Sequence, residues 1–307
     1  MKNLTVGVFH DETLADEIAK KGTVSDIRMF NRKTDDAIFT FLQPVDDKLT
    51  AKAQIMGCID VAVVSFASMT PDVGETILML DAMGIKKGIC IVPAGADICQ
   101  AIKLTKDTSL ESFVVKQRNA LEIMATLEKI DVVRDVALPT LVTIDHSFAV
   151  KGVGEVILGF VKRGVLKKHD KLMLMPAGKD VIVRSIQMHD KDFDSADAGS
   201  RVGLALKGAS IDELRRGAVL CVPGSVKTGT RVKLSFEKSK FYAEKLAEGT
   251  LHVSVGMQTV PVKVSEIAEN SLVIEAEKPL AYTGSDVFLL LDLNAKKLHL
   301  IGKGHAI

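Results

Sequence analysis

The sequence predicts an α/β domain followed by two small all-β domains, and three observations carry that expectation. Residues 4–130 alternate β-rich runs with amphipathic stretches, the pattern of a mostly parallel sheet covered on both faces. From Leu138-Pro139 onward, short apolar runs recur between Gly- and Pro-containing turns, as in small antiparallel barrels. The charge balance changes sign near the same place. Residues 1–135 carry 16 Lys+Arg against 20 Asp+Glu, residues 136–223 carry 13 against 10, and residues 224–307 carry 11 against 9. The expected boundaries are therefore 1–135, 136–223 and 224–307.

In the first domain, Leu4–Phe9 is a strand, and Asp11 caps a helix presenting Leu14 and Ile18, with Gly22 as its stop. Val24–Phe30 and Ala37–Leu42 are two further strands, Lys48–Met56 a helix and Val61–Ala67 a fully apolar strand. Pro71 opens a helix carrying Ile77, Leu78, Leu80 and Met83; Gly88–Val92 is a strand, and Gln117–Ile130 an amphipathic helix. In the rear half, strands are expected at Val156–Val161, Val181–Ile186, Val202–Leu206, Val253–Val255, Leu272–Ile274 and Val287–Leu291. Ser210 and Glu213 have capping-box spacing, which predicts one helical turn between strands.

Composition narrows the function classes. Apolar residues at 47% and charged residues at 26% exclude a disordered chain, a fibre and a disulfide miniprotein. No apolar run is long enough to span a bilayer, and the N-terminus has no signal-peptide pattern. Cys58, Cys90, Cys99 and Cys221 sit at no metal spacing, so reduced thiols and a cytoplasmic setting are expected. The histidines show no zinc-binding spacing and no G-x-S-x-G occurs, so neither a metal centre nor a serine nucleophile is expected. Asp190, Asp192 and Asp194 alternate like the start of a calcium loop but lack its Gly and Glu, and read as a polar barrel loop.

The informative stretch is Ile144–Val222. Its first block runs Ile144-Asp145-His146-Ser147-Phe148, Val150-Lys151-Gly152-Val153-Gly154, Gly159-Phe160-Val161 and Gly164. Its second runs Val183-Arg184-Ser185-Ile186-Gln187, Ala198-Gly199-Ser200-Arg201-Val202-Gly203-Leu204 and Arg216-Gly217-Ala218-Val219-Leu220. Glycines at barrel corners and alternating apolar residues explain part of this pattern. In this order the blocks resemble the second domain of translational GTPases, elongation factor Tu and, more closely, the selenocysteine-specific factor. Residues 225–307 are similar to the third, barrel domain of those factors, and residues 1–130 match their GTPase domain in element order. A narrower resemblance is to an archaeal-type paralogue of the selenocysteine factor proposed to serve pyrrolysyl-tRNA.

The nucleotide motifs of that family are missing. A phosphate loop needs G-x-x-x-x-G-K-[ST], whereas the matching stretch reads Gly7-Val8-Phe9-His10-Asp11-Glu12-Thr13. Asp11 and Glu12 stand where Gly-Lys would be, and two carboxylates repel a triphosphate. Thr13 keeps the place of the magnesium-binding hydroxyl, or is only a helix cap. The D-x-P-G-H motif aligns with Leu42-Gln43-Pro44-Val45-Asp46, so Leu42 replaces the magnesium-facing Asp and Asp46 the water-orienting His. Of the guanine motif only Asp97 remains, and an Asp at that place is also a common helix cap. The family's GTPase activity is therefore not expected here. No cofactor is expected, with GTP and magnesium only if the degenerate site still works.

The resemblance implies an aminoacyl-tRNA partner, and the ribosome as a further one, with no DNA or membrane partner. It places Asp145, His146 and Arg216 in an aminoacyl pocket, His146 standing where the selenocysteine factors have Arg, and counts Arg184 among the aminoacyl-tRNA-binding residues. The alternative is that Asp145 and Arg216 form a structural pair closing the barrel. Lys162, Arg163, Lys167 and Lys168 flank Gly164 on what reads as one hairpin, and suit either phosphate contacts or a solvated face. Aromatic residues at 5%, with no Trp, argue against a base-stacking platform. Two other functions stay open: a GTP-dependent factor with unusual residues, and an adaptor for the ribosome or another translation factor.

Overall fold

A computed structural model describes residues 2–246 and 249–307. The N-terminal sheet is built from β1 (Lys2–Phe9), β2 (Lys20–Val24), β3 (Ile27–Lys33), β4 (Ala37–Pro44), β5 (Val61–Ser65), β6 (Gly88–Val92) and β7 (Val114–Gln117). Between them lie α1 (Leu14–Ile18), α2 (Leu49–Met56), α3 (Pro71–Ala82) and α4 (Ile98–Thr105), and α5 (Ala120–Glu128) follows β7. The strand order is β2-β3-β4-β1-β5-β6-β7. From β4 to β7 neighbours run parallel, while β2 and β3 add an antiparallel edge. Strands buried on both faces read as continuous apolar runs, which is why Val61-Ala62-Val63-Val64 shows no alternation.

The helices start where local chemistry allows. Thr70 accepts from the Val73 amide with Pro71 at the first helical position, Asp97 accepts from Cys99, and Asn119 accepts from Leu121 and Glu122. The core gathers Leu4, Val6 and Val8 of β1, Phe39 and Phe41 of β4, and Ile123 and Leu127 of α5.

The middle strands are β8 (Leu141–Val150), β9 (Gly154–Arg163), β10 (Val165–Lys167), β11 (Lys171–Met175), β12 (Lys179–Met188), β13 (Lys191–Phe193), β14 (Ser195–Asp197), β15 (Arg201–Lys207) and β16 (Val219–Cys221). Their main sheet runs β11-β16-β8-β9-β15-β12-β13, and β11 also pairs with β12, so six strands close on themselves. The remaining strands are β17 (Lys227–Lys238), β18 (Leu251–Val255), β19 (Gln258–Ala268), β20 (Ser271–Tyr282), β21 (Phe288–Leu291) and β22 (Leu300–Ala306). They form a closed barrel in the order β17-β20-β19-β18-β21-β22. The predicted class, a parallel α/β sheet followed by antiparallel barrels, is the observed one.

By contacts the chain divides into two compact units. One holds residues 1–132, 238–247 and 289–303, the other residues 133–237, 248–288 and 304–307. Among the described residues no helix is long and apolar enough to cross a membrane.

Several local expectations are corrected. Gly22 does not stop a helix: α1 ends at Ile18, and Gly22 sits inside β2, where a side chain would press on Asn31 and the Met29 carbonyl. The strand expected at Val24–Phe30 is shifted: Val24 ends β2, Ser25-Asp26 turn, and only Ile27–Phe30 belong to β3. Gln117 belongs to β7, not to a helix, and α5 starts only after the Asn119 cap. Ser210 and Glu213 do bond reciprocally, Glu213 accepting from the Ser210 amide and hydroxyl, but they close a turn rather than a helix. The basic cluster is not one hairpin, because β10 leaves the Gly164 corner to pair with β14 instead of β9.

Candidate functional site

In open parallel sheets, ligands bind beyond the carboxyl ends of the strands. Here β1, β4 and β5 end around a polar cleft of about 140 Å³, lined by His10, Asp11, Glu12, Gln43, Asp47 and Ser68 among others. Gly7 lies inside β1, and Phe9 is its last residue, so only residues 10–13 connect β1 to α1. That helix has five residues, and Thr13 at its N-cap makes no side-chain capping bond.

Arg118, just past β7, closes one side of this turn. Its Nε donates to Asp11 Oδ2 at 2.7 Å, and its Nη2 to Thr13 Oγ1 at 2.7 Å and Glu17 Oε1 at 2.6 Å. Asp11 also accepts from the Leu14 amide at 3.0 Å. The guanidinium holds the Glu17 carboxyl below its ordinary range, and the two carboxylates push the guanidinium higher still. Glu12 is exposed, Leu42 is fully buried, and Asp46 is an exposed residue with φ 53°. Asp97 caps α4 through Cys99.

A second cluster forms the floor. Lys52 of α2 is fully buried and its Nζ lies 2.7 and 2.6 Å from the two carboxylate oxygens of Asp72. Asp47 Oδ1 is 3.7 Å from the same ammonium. His10 places Nδ1 3.6 Å from Asp47 Oδ2 and 3.7 Å from Asp72 Oδ2, and its Nε2 2.8 Å from Thr76 Oγ1. The His10 ring first, and Lys52 after it, hold the Asp47 carboxyl below its ordinary range. Among the described residues, His10, Asp47 and Asp72 are the group whose ligand atoms converge within 4.8 Å.

The middle barrel brings together another set. Asp145 occupies a bulge in β8, between Ile144 and His146, and is 1% exposed. Its carboxylate pairs with Arg201 (Nη2 to Oδ2, 2.9 Å), while Arg216 donates Nε to the Asp145 carbonyl at 3.2 Å. The charge partner of Asp145 is thus Arg201; Arg216 meets its main chain. Among the described residues Asp145 Oδ1 and Arg201 Nε are buried without a hydrogen-bond partner, and the guanidinium lies over the Phe160 ring at 5.7 Å. His146 leans on Phe148, with ring centroids 6.1 Å apart. Arg184 is exposed, its Nη1 3.5 Å from the Val153 carbonyl.

Of the basic cluster, Arg163 is spent on main-chain carbonyls, Nε to Pro139 at 3.0 Å and Nη2 to Ser225 at 3.2 Å. Lys162 is half-buried at the end of β9, and Lys167 and Lys168 are exposed. Sequence reasoning did not select Arg118, Lys52, Asp72, His10 or Arg201 as site residues. Arg118 follows β7, a strand too short to show a periodicity, and Lys52 reads as an ordinary surface lysine until α2 is packed.

Comparisons with known proteins follow this geometry. The family model for elongation factor Tu domain 2 matches residues 154–221. The chain is 35% identical over 308 residues to the uncharacterized protein MJ0325 of Methanocaldococcus jannaschii, covering 99% of both. It is 32% identical over 145 residues to the selenocysteine-specific elongation factor of the same organism, a match spanning 47% of this chain and 31% of that factor. Among solved structures, elongation factor SelB from Methanococcus maripaludis, in its apo form, superposes with a TM-score of 0.80 at 21% identity. That match covers 100% of this chain and 79% of SelB. A bacterial selenocysteine-specific factor also gives a TM-score of 0.80, at 19% identity, over 99% of this chain and 58% of its own.

Proposed function

The chain belongs to a translational GTPase-like family, and from that premise we propose that it binds aminoacyl-tRNA, or a related RNA, without efficient GTP hydrolysis. The observation that carries the reading is Arg118 bridging Asp11, Thr13 and Glu17 at the turn where the family's phosphate loop would lie. A triphosphate with its magnesium ion needs a glycine-rich amide cradle, a lysine and a carboxylate for the metal. This turn has four residues, its carboxylate is already paired, and Leu42 is an apolar side chain buried in the sheet. A cleft of about 140 Å³ is also small beside the roughly 300–1,000 Å³ of ordinary ligand pockets.

The RNA half of the proposal rests on the middle and rear segments, which carry the positive balance. Lys167 and Lys168 are exposed and available to phosphates, with Lys162 and Arg163 behind them. Arg216, beside the buried Asp145, is the side chain offered to the aminoacyl end, with His146 and Arg184 on the same barrel. The acidic first domain repels phosphate and contributes little.

The test is an anisotropy titration of full-length chain with charged and uncharged tRNAs over a salt series, selenocysteinyl- and pyrrolysyl-tRNA among them. Affinity falls as salt rises, and charge reversal at Lys167 and Lys168 weakens all tRNAs alike. Absence of tRNA binding at low salt would overturn the reading in favour of an adaptor. Micromolar or tighter binding of a fluorescent GTP, with hydrolysis above background, would establish a GTP-dependent factor instead.

A further inference from the structure

We propose that the cleft at the end of β1 is a binding site for a divalent cation of the zinc or manganese type, held by His10 Nδ1, Asp47 Oδ2 and Asp72 Oδ2. Thr76 has one hydroxyl proton and donates it to the Asp72 carbonyl at 3.0 Å. With a metal on Nδ1 the ring proton sits on Nε2, which can donate to the same hydroxyl oxygen at 2.8 Å and hold the ring in place. In that tautomer Nδ1 and the two carboxylates present three ligand atoms to one cation.

The spacing fits a cation between them. Separations of 3.6 and 3.7 Å from Nδ1 are too long for direct hydrogen bonds. A tetrahedral ion with bonds of about 2.0–2.2 Å sets its ligand atoms about 3.3–3.6 Å apart. A separate observation points the same way. Gln43, 3% exposed and lining this cleft, spends its amide nitrogen on the Asp11 carbonyl, while its Oε1 is buried without a hydrogen-bond partner. Among the described residues such an oxygen has no donor, which a buried polar atom ordinarily finds.

Lys52 is the competitor. Its ammonium neutralises Asp72, so one net negative charge remains with Asp47 and a neutral imidazole. One imidazole with two carboxylates favours first-row metals over calcium. The binding is therefore expected to be weaker than in a closed structural zinc site, and to need no nucleotide.

The experiment is calorimetric titration of the full-length chain with Zn2+ and, separately, Mn2+, paired with thermal melts. One equivalent of metal binds saturably and raises the melting temperature. Asp47→Asn, at a half-exposed position that folding tolerates, lowers affinity at least tenfold and removes the thermal shift. His10→Gln does the same. Asp192→Asn, on the middle barrel, leaves both unchanged. Lys52→Met, which removes the competing ammonium, tightens binding. No saturable binding, or binding unaffected by Asp47→Asn and His10→Gln alike, overturns the site and leaves His10 as a structural member of the Lys52–Asp72–Asp47 cluster.

Discussion

Replacing Glu75 by alanine removes the partner of three donors at once. Its Oε1 accepts from the His299 amide at 2.6 Å and the Leu300 amide at 2.9 Å, and its Oε2 faces His299 Nδ1 at 2.7 Å. Glu75 lies on α3 and is 5% exposed, and Leu300 is 2% exposed, so water does not replace the lost acceptor. Hydrogen bonds to a charged group contribute about 1.5–3 kcal/mol each, and a stranded buried donor costs about 1–3 kcal/mol. These terms overlap, and removing one partner of a buried charged pair costs about 3–5 kcal/mol in total. At about 2–4 °C per kcal/mol, the melting temperature of Glu75→Ala drops by about 6–20 °C. Glu75→Gln is the decisive companion. Its carbonyl oxygen keeps both backbone donors, and its NH2 stands in place of Oε2 beside Nδ1, so its cost stays below about 2 kcal/mol. Calorimetric melts of both variants, with His299→Ala and the double variant, check the argument. Equal damage from Ala and Gln, or an Ala variant within about 2 °C of the parent, would refute it.

Three further outcomes are expected. Arg201→Ala leaves the Asp145 carboxylate buried without its counter-charge and destabilises by about 3–5 kcal/mol in urea unfolding. Gly88→Ala drives a methyl group into the Ala62 carbonyl and the Phe113 ring; a backbone oxygen cannot yield, so a loss of about 1–3 kcal/mol is expected in the same assay. Lys179 and the Ser210 bonds pull the Glu213 carboxyl from 4.5 down to about 2. A depressed carboxylate stabilises above its ordinary value and loses that contribution as pH falls toward the depressed one. Carboxyl chemical shifts of Glu213 and the Ser210 amide should accordingly move together across that window, with the rest of the barrel unchanged.

The sequence by itself determined the fold class and most element positions. Val61–Ser65 and Gly88–Val92 are uninterrupted apolar runs that only a two-sided sheet accommodates, and the glycine-punctuated runs after Leu138 can pair only with near neighbours. It also led to the expectation that Asp11, Glu12 and Leu42 stand where the resembled family has its phosphate and magnesium residues, because such a motif is a contiguous residue pattern. Tertiary structure decided what took their place. Arg118 is separated from Asp11 by 107 residues, and Asp72 from Lys52 by 20, and no local period marks a residue whose partner arrives from another strand. The same holds for Asp145, for which a structural pair with Arg216 was one of two readings. The bulge in β8 turns its carboxylate to Arg201 and leaves only its carbonyl for Arg216, a choice made by strand register rather than by residue type.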